Sequence, residues 1–166
     1  MAARILSRTM NIRQADEAEI EALAQLWYDG WQDAHAHLLP AELTRLRTRE
    51  SFADRLHAAL GRVRVAGPSG EPVGFSIVKR DELYQLYVST QQRGAGIAAA
   101  LLADAERTLA SDGTEMAWLA CAIGNHRAAS FYEKHGWQRA GVMTSPVETS
   151  NGPFPLEVWR FEKRLG

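Results

Sequence analysis

Four pieces follow one another between Leu83 and Ala122, and their order leaves few folds open. Leu83, Tyr84, Leu86, Tyr87 and Val88 form an apolar run that reads as a strand. Gln91 to Gly96 then carries two glycines and no large apolar side chain. Ile97, Leu101, Ala105 and Leu109 recur at every fourth position, the stripe of an amphipathic helix. Met116 to Ala122 is apolar on both faces, as suits a strand inside a covered parallel sheet. The helix between Val88 and Met116 rules out a hairpin there and forces a parallel crossover.

The remainder predicts antiparallel company for that unit. Met10 to Ala15 reads as a short strand. Asp16 with Glu19 three residues on reads as a helix N-cap. Ile20, Leu23 and Trp27 share the following helical face, and Gly30 is the expected stop. Trp31 to Pro40 reads as irregular, and Ala41 to Leu60 as one or two helices. Arg62–Ala66 and Val73–Lys79 form a hairpin across Gly67-Pro68-Ser69-Gly70, and Asp81–Val88 is the next strand. Asn125 caps a helix ending near Gly136. Trp137–Val142 and Val158–Lys163 are strands, separated by a loop from Met143 to Leu156 with three prolines. The expected fold class is α/β: a central mixed, mostly antiparallel sheet of six or seven strands, with strands four and five parallel, flanked by about four helices. At 166 residues and 46% apolar, residues 1–166 are expected to be one domain with one core.

A formal net charge of -1 supplies no general pull toward nucleic acid or an anionic membrane, so neither is an expected partner. Cys121 is the sole cysteine, which excludes an internal disulfide. Met1 to Met10 lacks the apolar run of a secretory signal, and no stretch approaches the ~20 apolar residues of a membrane span. These features fit a cytoplasmic protein. His35-Ala36-His37 is not a convincing metal pair, because in an extended segment its rings face opposite ways; no metal is expected.

The chemistry is concentrated at Gln91-Gln92-Arg93-Gly94-Ala95-Gly96-Ile97. The first amides of a helix lack intrahelical acceptors and carry the positive end of its dipole. Glycines let a bulky anion such as a diphosphate approach them, and Arg93 adds a fixed positive charge. Asp104 is the first acidic residue in the helix, two turns in. Gly94 to Ala99 also fits the G-x-G-x-x-A form of a dinucleotide fingerprint. That reading fails because Ser89 to Arg93 separate the glycines from their strand. Glu115 begins rather than ends the next strand, and about seventy residues after Gly96 are too few to complete that fold.

Two motifs together resemble the GNAT (GCN5-related) N-acetyltransferases. Gln91, Gly94 and Gly96 match that superfamily's diphosphate loop. Asn125, Ala129, Phe131-Tyr132 and Gly136-Trp137 match its later Asn…Ala…Phe-Tyr…Gly-Phe segment, with Trp137 in place of Phe. The likeness covers about Met10 to Val142 and is sharpest over 83–137. It implies that strands four and five splay apart and that acetyl-coenzyme A lies in the gap. By that resemblance the backbone of Leu86, Tyr87 and Val88 pairs with the pantetheine arm. The amides of Arg93, Gly94, Ala95, Gly96 and Ile97 hold the diphosphate. Asn125, Ser130 and Tyr132 face the arm from the other side, and Tyr132 is the general acid on sulfur.

The resemblance also places Glu82 and Tyr84 on the active-site floor, with Glu82 the first choice of base. Alternation sets both on one face if no bulge intervenes. It puts the acceptor, a small-molecule primary amine, among Trp27, Trp31, Asp33, His35 and Trp159, with Asp29 or Asp33 attracting the ammonium. Cys121 reads as packing rather than a nucleophile. An N-terminal protein acetyltransferase and a non-catalytic coenzyme A sensor are the competing readings. The family leaves a homodimer through the late strands open.

Overall fold

The structure, a computed structural model, describes residues 11–166, so the expectations for Met1 to Met10 lie outside the described residues. Seven strands form one sheet: β1 (Ile12–Gln14), β2 (Val63–Ala66), β3 (Gly74–Lys79), β4 (Glu82–Val88), β5 (Met116–Ala122), β6 (Gln138–Val147) and β7 (Phe154–Arg164). Their order is β1-β2-β3-β4-β5-β7-β6, and only β4 and β5 are parallel. The helices are α1 (Ile20–His35), α2 (Ala41–Leu46), α3 (Arg49–Ala59), α4 (Ile97–Ser111) and α5 (His126–Lys134). The expected fold class is therefore met, with the parallel crossover carried by α4.

Two large core clusters cover the sheet, with a smaller one of Ala66, Ile97 and Leu101 beside them. On one face α1 lays Ile20, Leu23, Ala24, Trp27 and Trp31 against Phe52, Phe75 and Ile77. The Trp27 ring lies tilted 4.8 Å from Phe52 and 5.4 Å from Phe75, and each such fully buried side chain contributes about 1.5–3 kcal/mol. On the other face Leu102, Ala105 and Leu109 of α4 meet Leu83, Leu119, Trp137 and Phe161.

The start of α1 is fastened as its sequence predicts, and more firmly. Asp16 accepts from the Ala18 amide, while Glu19 accepts from the Asp16 amide, after a 3-10 turn at Glu17–Glu19. Glu19 also takes Arg13 in a two-pronged bond (2.8 and 2.7 Å) and the Gly70 amide at 3.1 Å. One buried carboxylate thus ties β1, α1 and the β2–β3 turn together. The Arg13 bonds hold its carboxyl down at about 2, below the ordinary 4.5. The stabilisation is complete above about pH 4.5 and is lost as pH falls toward 2. Glu19→Gln is expected to cost about 3 kcal/mol at pH 7, and less at pH 3, in denaturant titrations. An equal loss at both values would contradict the assignment.

Three sequence expectations are corrected. Gly30 does not stop α1, which continues to His35. A Cβ there would fall 2.6 Å from Cδ1 of Tyr87, so the glycine lets the helix lie against β4. Trp31, Asp33 and His35 are consequently helical. The supposed loop from Met143 to Leu156 is mostly strand, since β6 runs on to Val147 and β7 begins at Phe154. Pro146 and Pro155 stand opposite each other in that ladder. Both are on edges there, because β6 is outermost and β5 pairs with β7 only as far as Val158, so neither removes a needed donor.

Candidate active site

β4 and β5 share one paired position, Glu82 with Trp118, beside a bond from the Trp118 amide to the Asp81 carbonyl at 3.0 Å. Beyond it the strands part. β5 stays paired with β7 from Met116 to Ala122, whereas β4 follows β3. Between them opens a cavity of about 890 Å³, lined by the whole of β4, by Trp118 to Ala122, and by side chains of α1, α3, α5 and the β6–β7 hairpin. The β4 backbone facing the gap has no strand partner after Glu82.

A bulge shapes the floor. Ile77 stands opposite Gln85 but Val78 opposite Leu83, which makes Tyr84 the extra residue. Strict alternation would turn Leu86 to the same side as Glu82 and Tyr84. Instead Leu83, Leu86 and Val88 pack on the α4 side, while Tyr84 and Tyr87 pack on the α1 side. Glu82 and Tyr84 both line the cavity despite the bulge. Burial pushes the Glu82 carboxyl up to about 7, with Lys79 and Arg160 opposing a larger rise.

At the end of β4 the chain makes a 3-10 turn, Thr90–Gln92, and enters the glycine loop. Gly94 and Gly96 take φ of 84° and 80°, the left-handed region that favours glycine. Gly96 is the N-cap of α4, offers no side-chain cap, and is followed by no acidic residue in the first turn. Both glycines are exposed, and a Cβ on Gly94 would meet no atom within 4 Å. The amides of a fifteen-residue helix therefore open to solution with no acidic residue in the helix's own first turn. Ile97 itself is buried, so its side chain anchors the helix while its amide faces the loop end.

Asp33 belongs to this rim rather than to an acceptor pocket. Its carboxylate bonds Arg93 at 2.6 Å and Arg127 at 3.2 Å, which hold it below the usual carboxylate range. Asp29 is taken by Gln25 on the surface. Neither is placed to draw an ammonium group into the cavity.

From α5, Asn125 and Tyr132 line the cavity, whereas Ser130 is exposed and lies outside it. Asn125 uses Oδ1 to cap the helix at the Ala128 amide, 3.2 Å away, which leaves its NH2 as a donor. Tyr132 packs between Trp137 and Phe161, and burial raises its pKa, so it keeps its proton at neutral pH. Cys121 also lines the cavity; burial pushes its thiol up to about 11, and it is not a thiolate at pH 7.

Trp27, Trp31 and His35 line the α1 wall. His35 Nδ1 lies 3.4 Å from the Tyr87 hydroxyl, and burial lowers its pKa to about 4, so the ring is neutral. Trp159 is misplaced by one residue. Its ring sits under the Arg139 guanidinium at 4.0 Å and beside His126, away from the cavity, which its neighbour Val158 lines. Sequence reasoning missed Arg55 and Glu148, which bond the Tyr84 hydroxyl, and Arg47, which bonds the Glu148 carbonyl. Nothing in the polar stretch from Ala41 to Leu60 marks those two arginines as inward-facing. Among the described residues, no cluster of three His, Cys, Asp or Glu side chains is placed to hold a metal ion.

The sequence profile of the acetyltransferase (GNAT) family matches residues 18–137. An uncharacterized N-acetyltransferase of Mycobacterium tuberculosis (strain ATCC 25618 / H37Rv) is 32% identical over 114 residues, 66% of this chain and 70% of the relative. A GCN5-related N-acetyltransferase from Rhodopseudomonas palustris superposes with a TM-score of 0.73 at 22% identity, covering 93% of this chain and 95% of that one. The PaiA N-acetyltransferase from Thermoplasma acidophilum, in complex with coenzyme A, gives 0.69 at 20% identity, covering 93% and 98%.

Proposed function

Since the chain belongs to the acetyltransferase (GNAT) family and is an N-acetyltransferase with acetyl-coenzyme A as donor, we propose that its acceptor is the primary amine of a small, amino-acid-like molecule. The observation that carries this is the closed acceptor end. Glu148, on the β6–β7 turn, receives Arg47 through its carbonyl at 2.5 Å and the Tyr84 hydroxyl through its carboxylate at 2.8 Å. An extended peptide needs an open groove, and these two bonds tie the hairpin to β4 and the end of α2 at that side of the cavity.

Each half of the reaction has its residues. The amides of Gly94, Ala95, Gly96 and Ile97, with Arg93 alongside, suit the donor's diphosphate. The free edge of β4 at Leu86, Tyr87 and Val88 suits the amide-bearing arm, and Asn125, whose cap bond leaves its NH2 free to donate, lines the same cavity. The donor supplies a thioester carbonyl, and the Val88 amide is the donor group for charge that develops on its oxygen. An alkylamine acceptor has a pKa near ~10.4 and arrives mostly protonated. Glu82, poised at about 7, is the base that takes its proton. A thiol pKa is only about 8.5, so sulfur leaves readily as thiolate, and Tyr132, still protonated, steadies it through a hydrogen bond.

The test is thiol release from acetyl-coenzyme A against free amino acids, polyamines, aminoglycosides and peptides. Turnover on free small amines is expected; turnover on peptides alone would favour protein N-terminal acetylation. Coenzyme A binding without thiol release on any amine would favour a sensor. Tyr132→Phe is expected to lower kcat by about 10–100-fold with coenzyme A affinity kept. Full turnover in that variant would return Tyr132 to the core.

A further inference from the structure

Arg47 and Arg55 make the acceptor end of the cavity positive in a way the fold itself does not neutralise. Arg47 caps the end of α2 and is only 4% exposed. Arg55 rises from α3, lies with its guanidinium 4.4 Å over the Trp27 ring, and donates to the Tyr84 hydroxyl at 2.7 Å. Both line the cavity, and the Nε of each is buried without a hydrogen-bond partner. The two charges feel one another: burial first, then Arg55, brings Arg47 down to about 10.

One carboxylate faces this pair. Glu148 is half exposed, its Oε2 already accepts from Tyr84, and it stays 3.8 Å from Arg55 Nε, beyond hydrogen-bond range. Arg47 reaches only the Glu148 backbone. Two buried guanidiniums with unused donors against one half-solvated carboxylate is a costly arrangement for a resting protein. It becomes favourable when an incoming anion takes the terminal donors these bonds leave over, Arg47 Nη2 and Arg55 Nη1, since the buried Nε atoms are closed to it.

We infer that the acceptor is a carboxylate-bearing primary amine, its acid group held by Arg47 and Arg55 and its amine directed to Glu82. This rests on the acetyltransferase reading of the same cavity and deepens it. Lys79 and Arg160, which flank Glu82, add to the positive setting and disfavour polycationic acceptors. The apolar wall of Trp27, Trp31 and Leu156 leaves room for an uncharged side chain on the same molecule.

The experiment compares several amino acids, each beside its carboxamide and its decarboxylated amine, with rates expressed per free amine. An aminoalkylphosphonate is the second anionic arm. The acids are expected to exceed their neutral partners at least about 20-fold in kcat/KM, mainly through KM. Arg55→Met and Arg47→Gln are expected to shrink that ratio below about threefold, with cooperative thermal unfolding as the check on folding. Equal rates within each set for the unaltered protein, or a preference for polyamines, overturn the inference while leaving the acetyltransferase standing. A phosphonate preference over carboxylates overturns the carboxylate assignment. Saturable binding of the acids with no turnover, lost in Arg55→Met, supports the anion site and overturns the catalytic reading instead.

Discussion

Gly94→Asp is expected to weaken coenzyme A binding by at least about 100-fold in calorimetric titration, a loss of roughly 2.8 kcal/mol, without unfolding the protein. The site has room for the side chain, because no atom lies within 4 Å of the added Cβ. The left-handed backbone at φ 84° adds a strain of about 1–2 kcal/mol. The larger effect is electrostatic. A carboxylate at the mouth of α4 competes for the free amides, and two unit charges about 4 Å apart near a protein surface repel by roughly 4 kcal/mol. Gly94→Asn separates the two causes, since Asn meets the same backbone cost as Asp and carries no charge. Affinity in the Asn variant is expected to fall only a few-fold. If both variants bind alike, the diphosphate is not held at this corner.

Glu82→Gln is expected to reduce kcat/KM by about 10²–10³-fold and to erase the acidic limb of the pH profile. In the unaltered protein the rate is expected to rise as pH passes through about 7, where burial has moved this carboxyl, with Lys79 and Arg160 the charges that face it. A stability change of opposite sign accompanies the loss. The folded carboxyl ionises later than the ordinary 4.5 of an unfolded chain. Between those values the unfolded chain has already released its proton, so folding is progressively penalised, and the penalty is complete above about pH 7. A neutral amide escapes it, so Glu82→Gln is expected to melt higher than the parent at pH 8 and no higher at pH 4. A flat rate between pH 6 and 8, with full turnover in the variant, would assign the proton to water instead.

Much of the donor half was legible because local rules govern it. The Gly94 and Gly96 turn, the cap at Asn125 and the stripe on α4 are all short-range features, and each stands where the pattern placed it. The acceptor half depends on tertiary contacts that periodicity does not encode. Gly30 looked like a helix end because nothing local announces that Tyr87 will press against it. Trp159 was assigned to the cavity, yet a shift of one residue moves a strand side chain to the opposite face, and Val158 takes that place. Pro146 and Pro155 resembled loop punctuation because their tolerance as strand residues depends on both standing at open edges. Arg47, just past the end of α2, and Arg55, within α3, have charged neighbours that face water, so only the packed structure marks them as inward.

The enclosure around Glu148 divides the labour of the chain. On the proposed reading the donor-side residues form one span, from β4 to α5, whereas the acceptor-side walls come from α1 to α3 before it and from the hairpin after it, with Glu82 and Tyr84 of β4 shared between the two. On that reading, changes in α2, α3 or the hairpin can retune the choice of amine while leaving the glycine loop in place. A new substrate range is open to descendants of such a scaffold at little risk to the chemistry they inherit.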